Sequence, residues 1–462
     1  MPLGWYDLKV AAARPRVGDE AVKRKTLNAV FDVFVRIPLV AKALARTPCY
    51  NARMISVEEA LERILARVGT LGEEQVPLTR ALGRVLAHAV SSTLDLPPWP
   101  NSSMDGYALR GADATGASTK SPARLEIAGR IAAGHVADKP LTAGQAFRIF
   151  TGGPLPDGAD SVIPQEEVTT EGTTLLVARP VKAGEFVRPR GEDMRAGESV
   201  LERGRLIGPA ELGLLAALGH AQVRVVRKPR VGILSTGDEI VDLGGLLGPG
   251  QIPNSNTYSL TGQVIEAGGE PVPLGVAPDR LEEIEARFRW GLGCDLLISS
   301  AGVSVGEHDF VKAALEKLGA EQHLWLVNMR PGKPIAFATT PSTGKGALPV
   351  FALPGNPVSA MVTFELFVRP ALRRLGGHAR LQRPVVQARA LAAIPNPGRR
   401  RGFLRVALTA DESGGYGARL TGDQSSGILR SMVAADGLAV IPGDSTIAAG
   451  EMVPVILLRE VR

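Results

Sequence analysis

Between residues 231 and 375 the chain alternates short apolar runs with longer amphipathic stretches, an order that limits this part to a sheet with crossover helices. Residues 231–234, 271–276 and 294–299 read as strands, and 259–267, 281–290 and 310–318 as the helices that follow them. Short loops between such elements predict a parallel α/β sheet with right-handed crossovers. Residues 335–339 and 349–353 read as later strands, and 357–375 as one long helix.

The flanks follow other periods. From about 90 to 195, apolar runs at 125–128, 146–150, 161–164 and 174–178 are cut by Gly or Pro, the spacing of an all-β unit. Beyond Gly376, runs at 385–391, 402–408, 417–420, 438–441 and 452–457 predict a C-terminal β unit. Ser56 with Glu59 has the spacing of a capping box, ahead of a stripe at Ala60, Leu61, Ile64, Leu65 and Val68, so a first helix is expected from Met54. Residues 1–53, rich in Ala and Arg and broken by Pro2, Pro15, Pro38 and Pro48, read as a loose extension, with a basic targeting or partner-binding arm as the second reading.

Charge narrows the function. The 462 residues carry 53 Lys plus Arg against 47 Asp plus Glu, and residues 1–53 hold ten basic and four acidic side chains, the whole excess of +6. A body with balanced charge is not built to grip nucleic acid. Two cysteines, Cys49 and Cys294, cannot form a disulfide framework or a cysteine metal cluster, and they fit a reducing cytoplasm. The six histidines lack metal-ligand spacing, and no Walker loop, nucleophile elbow or dinucleotide fingerprint follows a strand. No stretch approaches the roughly 18 apolar residues of a membrane-spanning helix.

Ligands of open α/β sheets bind beyond the C-terminal strand ends, so the loops there are the candidate site. Ser235-Thr236-Gly-Asp238-Glu239 supplies two hydroxyls and two carboxylates. Residues 300–309, Ser-Ala-Gly302-Val-Ser304-Val-Gly-Glu-His-Asp309, bring glycines for close backbone approach and an acid at the next helix start. In Pro354-Gly-Asn356-Pro357, Asn356 suits an N-cap and Pro357 the first helical position, leaving amides free for an anion. The loop Asn328-Met-Arg330-Pro-Gly-Lys333-Pro adds two cations. Taken singly, Glu239 and Glu307 are solvated turn residues. Together, carboxylates on one loop and cations on another imply a phosphorylated ligand with Mg²⁺.

Five ordered motifs carry a resemblance. They are Asn-Ser-x-Met-Asp-Gly-Tyr-Ala at 101–108, Thr-Gly-x-x-x-Pro-x-Gly-Ala-Asp at 151–160, Ser-Thr-Gly-Asp-Glu at 235–239, Gly-Val-Ser-Val-Gly-x-x-Asp at 302–309, and Pro-Gly-Lys-Pro with Leu-Pro-Gly-Asn-Pro-Val-Ser-Ala at 331–334 and 353–360. From Met54 onward the chain resembles the molybdopterin molybdenumtransferase (MoeA) family, to which the gephyrin E domain is similar. The resemblance implies a multidomain α/β and β protein: an elongated linker domain at 54–100 and 194–227, a discontinuous all-β domain at 101–193, a parallel α/β molybdopterin-binding domain at 228–376 and a C-terminal β barrel at 377–462. It also implies a homodimer whose clefts lie between protomers, and insertion of molybdate into adenylylated molybdopterin with loss of AMP, dependent on Mg²⁺. A molybdopterin adenylyltransferase and apo-molybdoenzymes follow as partners.

Carried over residue by residue, the resemblance implies catalytic roles for Asp105, Thr151, Asp193 and Glu239 and metal ligation by Asp238, Glu239 and Asp309. It implies substrate binding by Ser235, Thr236, Asp279, Gly302, Ser304, Arg330, Lys333, Pro354, Pro357, Arg405 and Ser426. Three positions depart from the family pattern: Pro100 stands where an acid is usual, Gly153 where an alanine is, and Ala301 where the loop's first glycine is. Alanine at 301 requires a negative φ there. Two rival readings are a catalytically idle scaffold, whose sign would be loss of Asp105, Asp238 or Asp309, and an adenylyltransferase, which one α/β domain of under roughly 200 residues would suffice to build. The three acids are present, and the chain is longer than such a domain.

Overall fold

The structure, a computed structural model, describes residues 54–132, 134–302, 310–342, 346–411 and 414–461. The expectations for residues 1–53, Ser304 and Asp309 lie outside them. The first helix, Val57–Leu65, starts three residues later than the expected Met54, at the predicted cap: Ser56 accepts the Glu59 N–H at 3.0 Å, and Val57, Ala60 and Ile64 turn inward. That face packs into the core beneath the α/β sheet, with Val231, Ile298, Phe351 and Phe364.

The chain then leaves and returns. Glu73–Pro77 pairs antiparallel with Gln222–Val226, and Val90–Ser91 with Ser199–Leu201, so everything between is an insertion. The insertion holds a six-stranded sheet in the order Ser161–Pro164, Gly106–Leu109, Gln145–Ile149, Ala123–Ile131, Thr174–Val177, Val168–Glu171.

The α/β sheet runs Glu270–Ala277, Arg230–Thr236, Leu296–Ser300, Ala347–Leu353, Pro334–Pro341, Glu321–Leu326. Its first four strands are parallel, as expected. Pro334–Pro341 runs antiparallel to Ala347–Leu353, because too few residues separate them for a crossover helix and a hairpin results, and Glu321–Leu326 pairs antiparallel with Pro334–Pro341 in turn. Both faces are covered, which explains strands that are apolar almost throughout: Leu296 and Ile298 face Phe364 and Phe367, while Leu297 faces Leu274 and Phe288. The long helix is three pieces, Pro357–Thr363, a π turn at Phe364–Val368, and Arg369–Leu375. Pro370 has no N–H and its ring crowds the preceding turn, so the helix widens just before it.

Beyond it, Val385–Ala390, Arg401–Ala410, Tyr416–Leu420, Gly437–Ile441 and Met452–Leu457 close into a five-stranded barrel. Met329–Arg330 pairs in parallel with Arg401–Gly402, which fastens the cationic loop of the α/β unit to the barrel rim.

Candidate functional site

Strand Arg230–Thr236 delivers two buried hydroxyls to the sheet edge. Ser235 Oγ lies 2.8 Å from Thr257 Oγ1 and donates to Asn254 Oδ1 at 3.2 Å, so it is used within the wall. Thr236 Oγ1 has no partner. Gly237, at φ 136°, turns the chain so that Asp238 and Glu239 emerge exposed. The Asp279 N–H donates to Asp238 Oδ1 at 3.2 Å and brings a third acid alongside. Burial, then the charges of Asp238 and Glu239, push the Asp279 carboxyl above the usual range.

Position 301 differs from expectation. Ala301 has φ 83°, not a negative angle, because its N–H donates at 3.0 Å to the last carbonyl of the adjoining strand, Leu353 O, and the chain must then turn sharply. Gly302 follows at φ 77°, where a Cβ would stand 2.2 Å from Val311 Cγ2, so glycine is required.

Two clefts open at this edge. The first, about 640 Å³, is lined by Thr236, Glu239, Ile240, Ile252, Asn256 and Pro357, with Ser235, Ala301 and the barrel's Leu429 also on its wall. The second, about 500 Å³, lies between Arg330, Lys333, Pro354 and Ser359 of the α/β unit and Arg400, Gln424 and Ser426 of the barrel. Asn356 borders both. It occupies the N-cap position, but its side chain makes no capping bond. One amide of that helix start is also taken, since Val358 N–H donates to Ser426 O at 3.1 Å and the barrel loop seals it.

The second cleft is cationic on balance, three cations against the carboxylate of Asp423. Arg330 Nη1 donates to Pro397 O at 3.2 Å and Arg400 Nη1 to Met329 O at 3.3 Å, so each arginine is braced while Lys333 stands exposed. The sequence reading missed Arg400, although the triplet Arg399-Arg400-Arg401 after a Pro-Gly turn was a visible signal. Arg405 is fully buried beneath the wall and not in it. It donates to Ser431 Oγ at 3.0 Å and to the carbonyls of Asp423 at 3.3 Å and Ser425 at 3.0 Å, and so shapes the loop that carries Ser426. Burial pulls its guanidinium down to about 10.

The β unit carries a separate group. Asp105 Oδ1 accepts the Thr151 N–H and Oγ–H, both at 2.7 Å, and the backbone bond before the hydroxyl bond holds its carboxyl below the usual range. Arg148 stacks between Tyr107 and Phe150, 5.1 Å from each ring, beside this pair. Asp193 is exposed, its N–H donating to Leu96 O at 2.9 Å. Asp105, Thr151 and Asp193 border neither cleft.

Among the described residues no three His, Cys, Asp or Glu side chains are placed to hold a metal ion. Asp238 and Glu239, two of the three expected ligands, share one turn, with Asp279 beside them. That donor set fits Mg²⁺, which takes hard oxygens, commonly one or two carboxylates completed by water and substrate phosphate.

Residues 55–219 match the family described as MoeA N-terminal region (domain I and II), residues 232–374 a probable molybdopterin binding domain, and residues 387–458 the MoeA C-terminal region (domain IV). A molybdopterin molybdenumtransferase of Nostoc is 39% identical over 88% of this chain and 94% of its own length. That of Synechococcus elongatus is 37% identical over 87% of this chain and 99% of its own. Two crystal structures of the MoeA protein of Pyrococcus horikoshii superpose with TM-scores of 0.75 and 0.74 at 34% and 31% identity, covering 88% of this chain and 100% of each.

Proposed function

The chain belongs to the molybdopterin molybdenumtransferase (MoeA) family of transferases in molybdenum cofactor biosynthesis, and on that premise we propose that it inserts molybdate into adenylylated molybdopterin and releases AMP. One observation carries the reading: a cleft with three cations meets, at Asn356, a cleft bordered by Glu239, whose neighbour Asp238 lies beside Asp279. Molybdate is a tetrahedral dianion, and Arg330, Lys333 and Arg400 offer charge and N–H donors of the right kind for it. The neighbouring cleft takes the organic part of the substrate along apolar walls at Ile240, Ile252 and Pro357.

Asp238 and Glu239 would hold Mg²⁺, which supplies charge neutralisation at the pyrophosphate when bound. Asp105, ionised and fixed by Thr151, is the base we assign to orient a water or take a proton, with Asp193 as the second acid of that side. As neither borders the clefts of its own chain, a homodimer in which one protomer's β unit faces the cleft of its partner accounts for their place. The division into linker, β, α/β and barrel domains, cytoplasmic residence, and traffic with an adenylyltransferase and apo-molybdoenzymes belong to the same reading.

The test is AMP release from adenylylated molybdopterin with Mg²⁺, with and without molybdate, beside reconstitution of an apo-molybdoenzyme. Molybdate-stimulated release with active enzyme formed is expected. Nucleotide binding without either signal replaces the insertase with a scaffold.

A further inference from the structure

Asn256, the first residue of helix Asn256–Glu266, binds the three loops of the first cleft together. Its Nδ2 donates at 2.7 Å to Ser300 Oγ, at the end of one strand, and at 2.7 Å to Gly355 O, in the loop after another. A carbonyl only accepts, so Gly355 O fixes which end of the amide is nitrogen, and Oδ1 is left on the opposite side of Cγ. Oδ1 has no hydrogen-bond partner although Asn256 is only 9% exposed. Thr236 Oγ1, on a residue 1% exposed, is also unpartnered, and both residues line the first cleft. Buried polar atoms are almost always paired, so two unpaired ones on residues that line one cleft mark a place that a ligand completes.

We infer that Asn256 and Thr236 are specificity-determining residues that read an exocyclic amine on a flat heteroaromatic ring, with Asn256 Oδ1 as the acceptor. The inference rests on the proposed substrate, which carries two such rings, a pterin and an adenine. The remaining lining suits a ring, since Ile240, Ile252 and Pro357 give apolar faces and, among the described residues, Glu239 is the one ionised side chain that borders the cleft. A site built around an unpaired acceptor rejects an analogue that presents a second acceptor there, because both are left without a proton.

The test is equilibrium binding of two analogue pairs that exchange an amine for a carbonyl, pterin against lumazine and AMP against inosine monophosphate. Wild type should prefer the amine in one pair by tenfold or more, and that pair identifies the ring. Asn256→Ala should bring the preference within twofold, and so should Thr236→Val, which leaves both loop bonds of Asn256 intact. Molybdate binding at the cationic cleft reports separately on folding. No preference in wild type, no binding of any of the four, or a preference that survives both substitutions overturns the inference. Failure of molybdate-stimulated AMP release with the amine preference intact would instead count against the proposed reaction alone.

Discussion

Ala301 is a non-glycine residue at φ 83° followed directly by Gly302 at φ 77°, so the turn that enters the candidate site places two residues in succession in left-handed backbone. A side chain in that conformation crowds its Cβ against the neighbouring backbone, a cost that glycine escapes. Relief of this strain outweighs the extra freedom glycine gives the unfolded chain, so Ala301→Gly should stabilise the protein by about 0.5–1 kcal/mol. The midpoint of a urea transition at unchanged slope reads it, and a midpoint that falls contradicts the strain argument. Asp105 gives a second prediction. Its depressed carboxyl rests first on the Thr151 main-chain N–H and then on the hydroxyl, so Thr151→Val removes the lesser bond and should raise the Asp105 pKa while leaving it below the ordinary value. A carboxylate-detected NMR titration of both proteins measures this. The fold pairs Asp105 with Thr151, 46 residues away, whereas the resemblance marked each of them singly. That resemblance did not mark Arg400 or Asn256, whose importance comes from which loop they touch.

At the scale of elements, the alternating strands and helices were legible because each buried strand is a short apolar run and each helix has one apolar face. Two features were not. The antiparallel pair at the sheet edge leaves the same apolar signature as a parallel one, and only the short connection betrays it. The π turn at Phe364–Val368 is set by one proline inside a run that otherwise reads as continuous helix. This turn places Phe364 and Phe367, both fully buried, against the sheet. Phe364→Ala should therefore cost about 3–5 kcal/mol, read by denaturant unfolding. His378 follows the helix that ends at Leu375, its N–H bound to Arg373 O at 3.0 Å. Burial, then Arg373 and Arg369, pull its imidazole from 6.5 to about 4. The folded state thus resists a proton that the unfolded chain accepts. That contribution to stability is whole above about pH 6.5 and declines as pH falls towards 4. His378→Gln should flatten the decline in this window, and a parallel pH profile for the two proteins removes His378 as its cause.

Across the whole molecule, acids and cations of the α/β unit converge with the barrel rim, while Asp105 and Thr151 stand on the inserted β unit and border neither cleft. The insertion is fixed at its base by two short antiparallel pairings, Glu73–Pro77 with Gln222–Val226 and Val90–Ser91 with Ser199–Leu201. In the proposed homodimer a second copy completes the site, and under closed two-fold symmetry each protomer both lends a β unit and receives one. The arrangement predicts complementation between inactive chains. Asp105→Ala and Asp238→Ala homodimers should each fail in molybdate-stimulated AMP release. In their heterodimer, one of the two sites combines both substitutions and the other has neither. Random pairing of equal amounts makes half the dimers mixed, each with one intact site, so coexpressed chains should recover about a quarter of wild-type activity. Tagging the two chains differently and purifying the mixed dimer should raise this to about half. No recovery in a mixed dimer of confirmed composition places Asp105 and Asp238 in the same protomer's site. That result requires the β unit to swing onto its own clefts, through a hinge at the paired strands of its base.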